Sequence, residues 1–197
     1  MEEPKPEKPV KLKWRNEIRT LRNVFAKQGW ENSYEVNVHR EHANTPDEAA
    51  RTLVGFLRFH NVEVNERTKF LEVGSGNGDV FKVLKDNGAD IVAVDARPRG
   101  EEHNMLVGAR AEALPFRDGT FDIVIAHMLF DRTVYRQGWF GGKQPQMMSE
   151  IARVLRSGGV LCDFPANRIQ KAAPENFGLA LIPESVEADW FKLYRKE

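Results

Sequence analysis

Of the 197 residues, one is cysteine, Cys162. A single thiol excludes an internal disulfide framework and a cysteine-rich zinc site. Cys162 sits in the apolar string GGVLCDF, where an inert core residue is expected. Net charge is also lacking, with 29 Lys and Arg balanced by 29 Asp and Glu. That balance argues against a protein whose whole surface binds nucleic acid or membrane. No run approaches the roughly 20 apolar residues of a membrane-spanning helix. The opening MEEPKPEKPVKLK has no apolar core, so no secretory signal is expected and a cytoplasmic location fits. No internal repeat is visible. What remains, at 41% apolar and 29% charged residues, is the composition of one ordinary globular domain.

The chain divides into three parts. Pro, Lys and Glu over residues 1–10 predict a flexible tail. Residues 11–65 read as a helical cap region. Trp14, Ile18, Leu21 and Phe25 recur at helical spacing, with Arg15, Arg19 and Arg22 forming a basic stripe beside them. Residues 1–30 hold eight Lys and Arg against four Asp and Glu, so an acidic partner at this stripe is one expectation. Residues 30–44 look irregular and carry Tyr34, His39 and His42. Two histidines without further ligands do not make a metal site, and no metal is expected. Thr45-Pro46-Asp47-Glu48 reads as a capping box that opens a helix to about His60, with Ala50, Leu53, Val54 and Leu57 as its buried face.

From residue 66 onward, short apolar runs alternate with helical ones. Strands are predicted at Lys69–Val73, Ile91–Asp95, Met105–Val107, Phe121–Ala126, Val160–Phe164, Leu179–Ile182 and Trp190–Tyr194. Helices are predicted at Asp79–Asn87 and at Gln146–Arg156, the latter stopped by Ser157-Gly158-Gly159. This alternation predicts an α/β fold, a doubly wound and mostly parallel sheet of about seven strands with helices on both faces. The near-continuous apolar character of IVAV and FDIVIA suits strands covered on both sides.

The first strand runs into LEVGSGNGDVF. Gly74, Gly76 and Gly78 permit positive φ and close approach of a ligand to the backbone. A dinucleotide fingerprint would have Gly at position 79, which is Asp79, and the Gly-Lys-Ser/Thr of a phosphate loop is absent. Glu72 and Asp79 flank the glycines, with no Lys or Arg between Lys69 and Lys82. Carboxylates there repel a pyrophosphate and attract a ligand bearing an ammonium and a sulfonium. Asp95 closes the second strand, 19 residues after Gly76, where a carboxylate can accept from two ribose hydroxyls.

These segments, LEVGSGNGD, IVAVD, ARAEALPFRDGTFDIVIA and MMSEIARVLRSGGVLCDF, resemble the class I S-adenosylmethionine-dependent methyltransferases with compact Rossmann-like domains. The resemblance covers about residues 45–165. It implies S-adenosylmethionine as cofactor and transfer of its methyl group by in-line displacement to an unidentified acceptor: a small molecule, a protein or an RNA. It also implies roles. Glu72 would orient the methionine ammonium. Gly74, Ser75 and Gly76 would carry the methionine and ribose. Asp95 would hold the ribose hydroxyls, and Ala96 would lie against the adenine. Ala111 and Glu112 would meet the adenine edge, and His127 would line the donor region. Arg110 departs from the acidic residue that family members often carry before this Ala, and it cannot accept a hydrogen bond from the adenine amino group.

Catalytic candidates are His127 and Asp131, just past the fourth strand. Substrate candidates are Tyr34 and, in the Gly-rich segment 131–145, Tyr135, Trp139 and Phe140. Two other readings remain at this stage: a catalytically silent binding or regulatory subunit with the same fold, and a nicotinamide-dependent oxidoreductase, which Asp79 disfavours.

Overall fold

In a computed structural model, residues 46–99, 105–127, 129–130, 143–164, 173–183 and 192–197 are described. The predicted N-terminal tail, the Trp14–Phe25 helix and its Arg15/Arg19/Arg22 stripe lie outside the described residues. So do Thr45, Tyr34, His39, His42, Asp131, Tyr135, Trp139 and Phe140.

The first described helix, α1, spans Pro46–Phe59. Ala50, Leu53, Val54 and Leu57 are buried along one side of it, as their spacing predicts, and Phe56 joins them. Strand β1 (Lys69–Val73) follows, then helix α2 (Asp79–Asp86) and strand β2 (Asp90–Asp95). Next come β3 (Val107–Gly108), β4 (Phe121–His127), helix α3 (Gln144–Val154) and β5 (Leu155–Phe164). A short 3-10 turn at Pro174–Phe177 leads into β6 (Leu179–Leu181), and β7 (Lys192–Lys196) ends the chain.

The seven strands form one sheet in the order β3-β2-β1-β4-β5-β7-β6. β1 pairs in parallel with β2 and β4, β2 with β3, and β4 with β5. β7 runs antiparallel to both β5 and β6. Chain order reverses between β1 and β4, the switch point where open α/β sheets bind ligands beyond their carboxyl strand ends.

Each central strand sends alternate residues to opposite faces. Phe70, Ile91, Ile123, Ile125 and Cys162 pack beneath α1 and α2. Leu71, Val73, Val94, Val124, Ala126 and Leu161 pack on the other face with α3 residues Met147, Met148 and Ile151. Both faces are covered, which is why these strands read as unbroken apolar runs.

One local prediction is corrected. Ser157-Gly158-Gly159 does not stop α3, which ends at Val154; those residues lie inside β5. Phe121 pairs with Leu155 and Ile123 with Val160, so the extra residues form an irregular bulge. Gly158 adopts φ +74° there. A Cβ on Gly159 would stand 2.8 Å from the Arg156 carbonyl oxygen and 3.0 Å from that of Asp122, both rigid backbone atoms. Gly159→Ala is therefore expected to lower stability by about 1–3 kcal/mol in urea melts while leaving ligand binding unchanged.

Candidate functional site

The loop between β1 and α2 is built by hydrogen bonds to the end of β2. The Gly74 and Ser75 N–H groups both donate to the Val94 carbonyl, at 2.8 and 3.1 Å. The Gly76 N–H donates to Asp95 Oδ2 at 2.9 Å, and the Arg97 N–H donates to Asp95 Oδ1 at 2.7 Å. The Arg99 N–H reaches back to the Gly76 carbonyl at 3.3 Å. Asp95 thus ties the glycine loop to its own strand end.

Two glycines are required by different constraints. Gly74 has φ +77°, and a Cβ there would approach Leu129 Cδ1 to 2.8 Å. Gly76 has φ +59° but would meet nothing within 4 Å. Its bare Cα faces open space, the geometry of a backbone that a ligand approaches closely.

Beside this loop lies a cavity of about 500 Å³, within the usual range for a small-molecule site. Val73, Gly74, Gly76, Val94, Asp95, Ala96, Ala111 and Glu112 are among its lining residues. Of the residues singled out by sequence, Gly74, Gly76, Asp95, Ala96, Ala111 and Glu112 are therefore brought together on one cavity. Ser75 sits in the same loop, while Glu72 lies beneath it, 1% exposed.

Glu72 is the most perturbed group of the loop. Burial pushes its carboxyl up to about 8, against the lowering effect of the Phe81 backbone N–H, with Asp79 and Asp95 adding to the rise. Its Oε2 is buried without any hydrogen-bond partner among the described residues. An orphaned acceptor under an open glycine loop is suited to a cationic donor. This chemistry fits the ammonium of the implied cofactor.

His127 lies at the end of β4, its ring stacked on Phe164 with centroids 4.5 Å apart. Burial drives its pKa down to about 4, opposed only by the field of Asp79. The imidazole is thus neutral at physiological pH and a weak base. Ile123, Ile125 and His127 follow the same strand alternation, which places His127 on the face opposite Val73 and Val94.

The wall formed by residues 109–118 was not foreseen in detail. Glu112 accepts from Arg110 at 2.8 Å and pairs with Lys143 at 3.4 Å. Burial works upward on its carboxyl, but the hydrogen bonds from Arg110 and Lys143 carry it below the ordinary value. Behind it, Arg153 donates to the carbonyls of Leu114 and Phe116, at 2.9 and 2.7 Å, and to Glu150 and Asp118. Glu150 in turn accepts from the Leu114 N–H at 2.7 Å. Arg153→Met is expected to free two carbonyls and to destabilise the domain by about 1–3 kcal/mol. Hydrogen exchange should then accelerate first in residues 111–118.

Sequence reasoning also missed Arg97 and Arg99, which line the cavity with Arg110. Asp95 stands at the strand end of the cavity, and the three arginines are exposed at its rim. The signal was available: both arginines follow Asp95 by two and four residues. Asp163 was missed as well. It is wholly buried on β5, with neither carboxyl oxygen hydrogen-bonded among the described residues.

A mostly parallel seven-stranded sheet with one reversed strand, and a glycine loop tied to an acidic β2 end, define a Rossmann-like domain. Residues 71–162 match the family described as Methyltransferase domain. Over those residues the chain is similar to that family.

Among curated relatives, the biotin biosynthesis bifunctional protein BioHC of Cellvibrio japonicus is 31% identical over 102 residues, covering 48% of this chain and 19% of that protein. A sterol 4-C-methyltransferase of Caenorhabditis elegans is 30% identical over 111 residues, covering 50% of this chain and 31% of that protein. The chain thus spans less than a third of either relative. A TehB-like SAM-dependent methyltransferase from Corynebacterium glutamicum shares the fold, with a TM-score of 0.56 and 17% identity over 93% of this chain and 98% of that one.

Proposed function

We infer that the protein binds S-adenosylmethionine in this cavity and transfers its methyl group to an acceptor. The observation that carries the reading is Asp95, which lines the cavity and accepts from the N–H of Gly76, a glycine whose Cα faces open space. When bound, the cofactor supplies a methyl group on a sulfonium, already activated for displacement.

The chain's residues then bind and orient. Glu72, ionised on contact with an ammonium, holds the methionine end. Asp95 keeps its two backbone donors and accepts in addition from ribose hydroxyls, which carboxylate oxygens can do because each has two lone pairs. Ala96 and Ala111 pack against the adenine. Glu112 stands beside Arg110 and offers the acceptor that Arg110 lacks. Gly76 leaves room for the nucleoside to lie on the backbone. The buried, neutral His127 shapes the end of β4. The work of the site is alignment and exclusion of water.

The intact carboxylates and glycines favour an active enzyme over a silent subunit. The relatives' names differ from one another in the reactions they describe, so they do not transfer an acceptor to this chain. Among the described residues no helix is long and apolar enough to cross a membrane. The test is a labelled-methyl transfer assay against cell extract split into small-molecule, protein and RNA fractions. Label entering one fraction supports the reading. No transfer, with S-adenosylmethionine nevertheless bound, favours the silent subunit.

A further inference from the structure

The sheet register draws a line from the cavity to an unexplained buried carboxyl. Val107 pairs with Val94 and Val94 with Val73. Glu72 stands opposite Ile125 on β4, which sets Ala126 beside Val73. Ala126 pairs with Asp163, and Asp163 with Lys192 on β7. Paired residues of neighbouring strands project to the same face, and this one is the face of Val73, Val94 and Ala126. Val73 and Val94 line the cavity. Asp163 therefore lies in the cavity's own row, two strands beyond Val73, roughly 10 Å away at the usual strand spacing. Ala126, between them, has the smallest side chain of the row.

Asp163 has no evident structural purpose. It is wholly buried, and among the described residues both its oxygens lack a hydrogen-bond partner even though Lys192 is its cross-strand neighbour. Leu161 and Tyr194 are its buried apolar and aromatic company on that face. An apolar residue would suit such a position better. A buried carboxyl that no partner satisfies is one whose partner arrives from outside. With the donor's adenine toward β3, ribose toward β2 and methionine toward β1, the next positions in the row, at β4 and β5, face the methyl acceptor. Among donors, a basic nitrogen returns the most to a buried carboxyl, because the hydrogen bond is charge-assisted.

We propose that Asp163 receives a basic nitrogen of the methyl acceptor, held at the carboxyl ends of β4 and β5 next to the cavity. The proposal rests on the reading of the cavity as the donor site, and its test separates the two. The protein is titrated with S-adenosylhomocysteine and then, saturated with it, is melted in the presence of primary and secondary alkylamines or the matching alcohols. The same set is run on Asp163→Asn and Asp163→Leu. Wild type and both variants should bind S-adenosylhomocysteine alike, and Asp163→Leu should melt at a higher temperature than wild type, since it removes an unsatisfied buried carboxyl. Amines should raise the melting temperature of the wild-type complex and alcohols should not. In both variants the apparent amine affinity should drop by about tenfold or more. Amines and alcohols acting equally on wild type, no response to amines, or variants that respond as wild type would overturn it. A wild type that fails to bind S-adenosylhomocysteine would overturn the donor site, and this proposal with it.

Discussion

Glu72→Gln should flatten the pH dependence of stability and cripple donor binding together. The Glu72 carboxyl titrates at about 8 in the folded chain against an ordinary 4.5, chiefly because burial disfavours its charge. A raised pKa means that the folded state holds a proton the unfolded chain has released. The resulting stability is fully present below the ordinary value and is lost as pH rises through about 8. The slope is about 1.4 kcal/mol per pH unit for one proton, so the loss across this window is on the order of 3–5 kcal/mol. A glutamine keeps the shape and carries no titrating proton. Urea melts at stepped pH should show the variant losing less stability than wild type between these limits, and being the more stable at the alkaline end. Asp163, also raised by burial, adds a slope that the variant retains. Parallel curves for wild type and variant would mean that Glu72 is not the titrating group.

The same proton bears on the ligand. Only the ionised carboxylate attracts an ammonium. Wild-type affinity for S-adenosylmethionine should therefore climb as pH approaches about 8, while that of Glu72→Gln should be weak and insensitive to Glu72's range.

Asp95→Ala should weaken donor binding by about 1.5–3 kcal/mol, the usual worth of hydrogen bonds to a charged group. The residue has two tasks that the variant removes at once. It accepts from the Gly76 and Arg97 N–H groups, and it faces the cavity that the ribose hydroxyls would enter. Asp95→Asn separates them, because its remaining carbonyl oxygen can still accept from one backbone N–H. Calorimetry on the folded variants reads the difference. An alanine variant that melts normally and binds S-adenosylhomocysteine with wild-type affinity would remove Asp95 from the site.

The glycine loop and its two carboxylates were legible in the sequence because each is a local pattern. A buried strand runs into alternating glycines, and a second strand closes on an acid. The central strands were legible because both faces are covered. The errors fell where tertiary packing decides. β3 is only Val107–Gly108, too short to carry periodicity, and the predicted Met105 is exposed. Ser157-Gly158-Gly159 looked like a helix stop because a bulge and a C-cap use the same residues; only the approach of the Arg156 and Asp122 carbonyls to Gly159 separates them.

Arg153 and Glu150 carried no signal, being ordinary charges on a helix until the 111–118 loop folds over them. Asp163 was hidden in an apolar run, where one acid reads as a strand-end residue. It acquires meaning only from a register that lines it up with Val73 and Val94. The argument from missing Lys and Arg around the glycines held for the loop alone, since Arg97, Arg99 and Arg110 reach the rim from other segments.

That rim sets the sharpest alternative, since arginines after an acidic β2 end also suit a dinucleotide bearing a 2′-phosphate. Isothermal titration of the whole chain with S-adenosylmethionine, S-adenosylhomocysteine and NADP therefore tests the central claim most directly. Both sulfur nucleosides should saturate a single site, each weakened by Asp95→Ala, and NADP should give no heat. Saturable NADP binding with silence from both sulfur nucleosides would contradict the account.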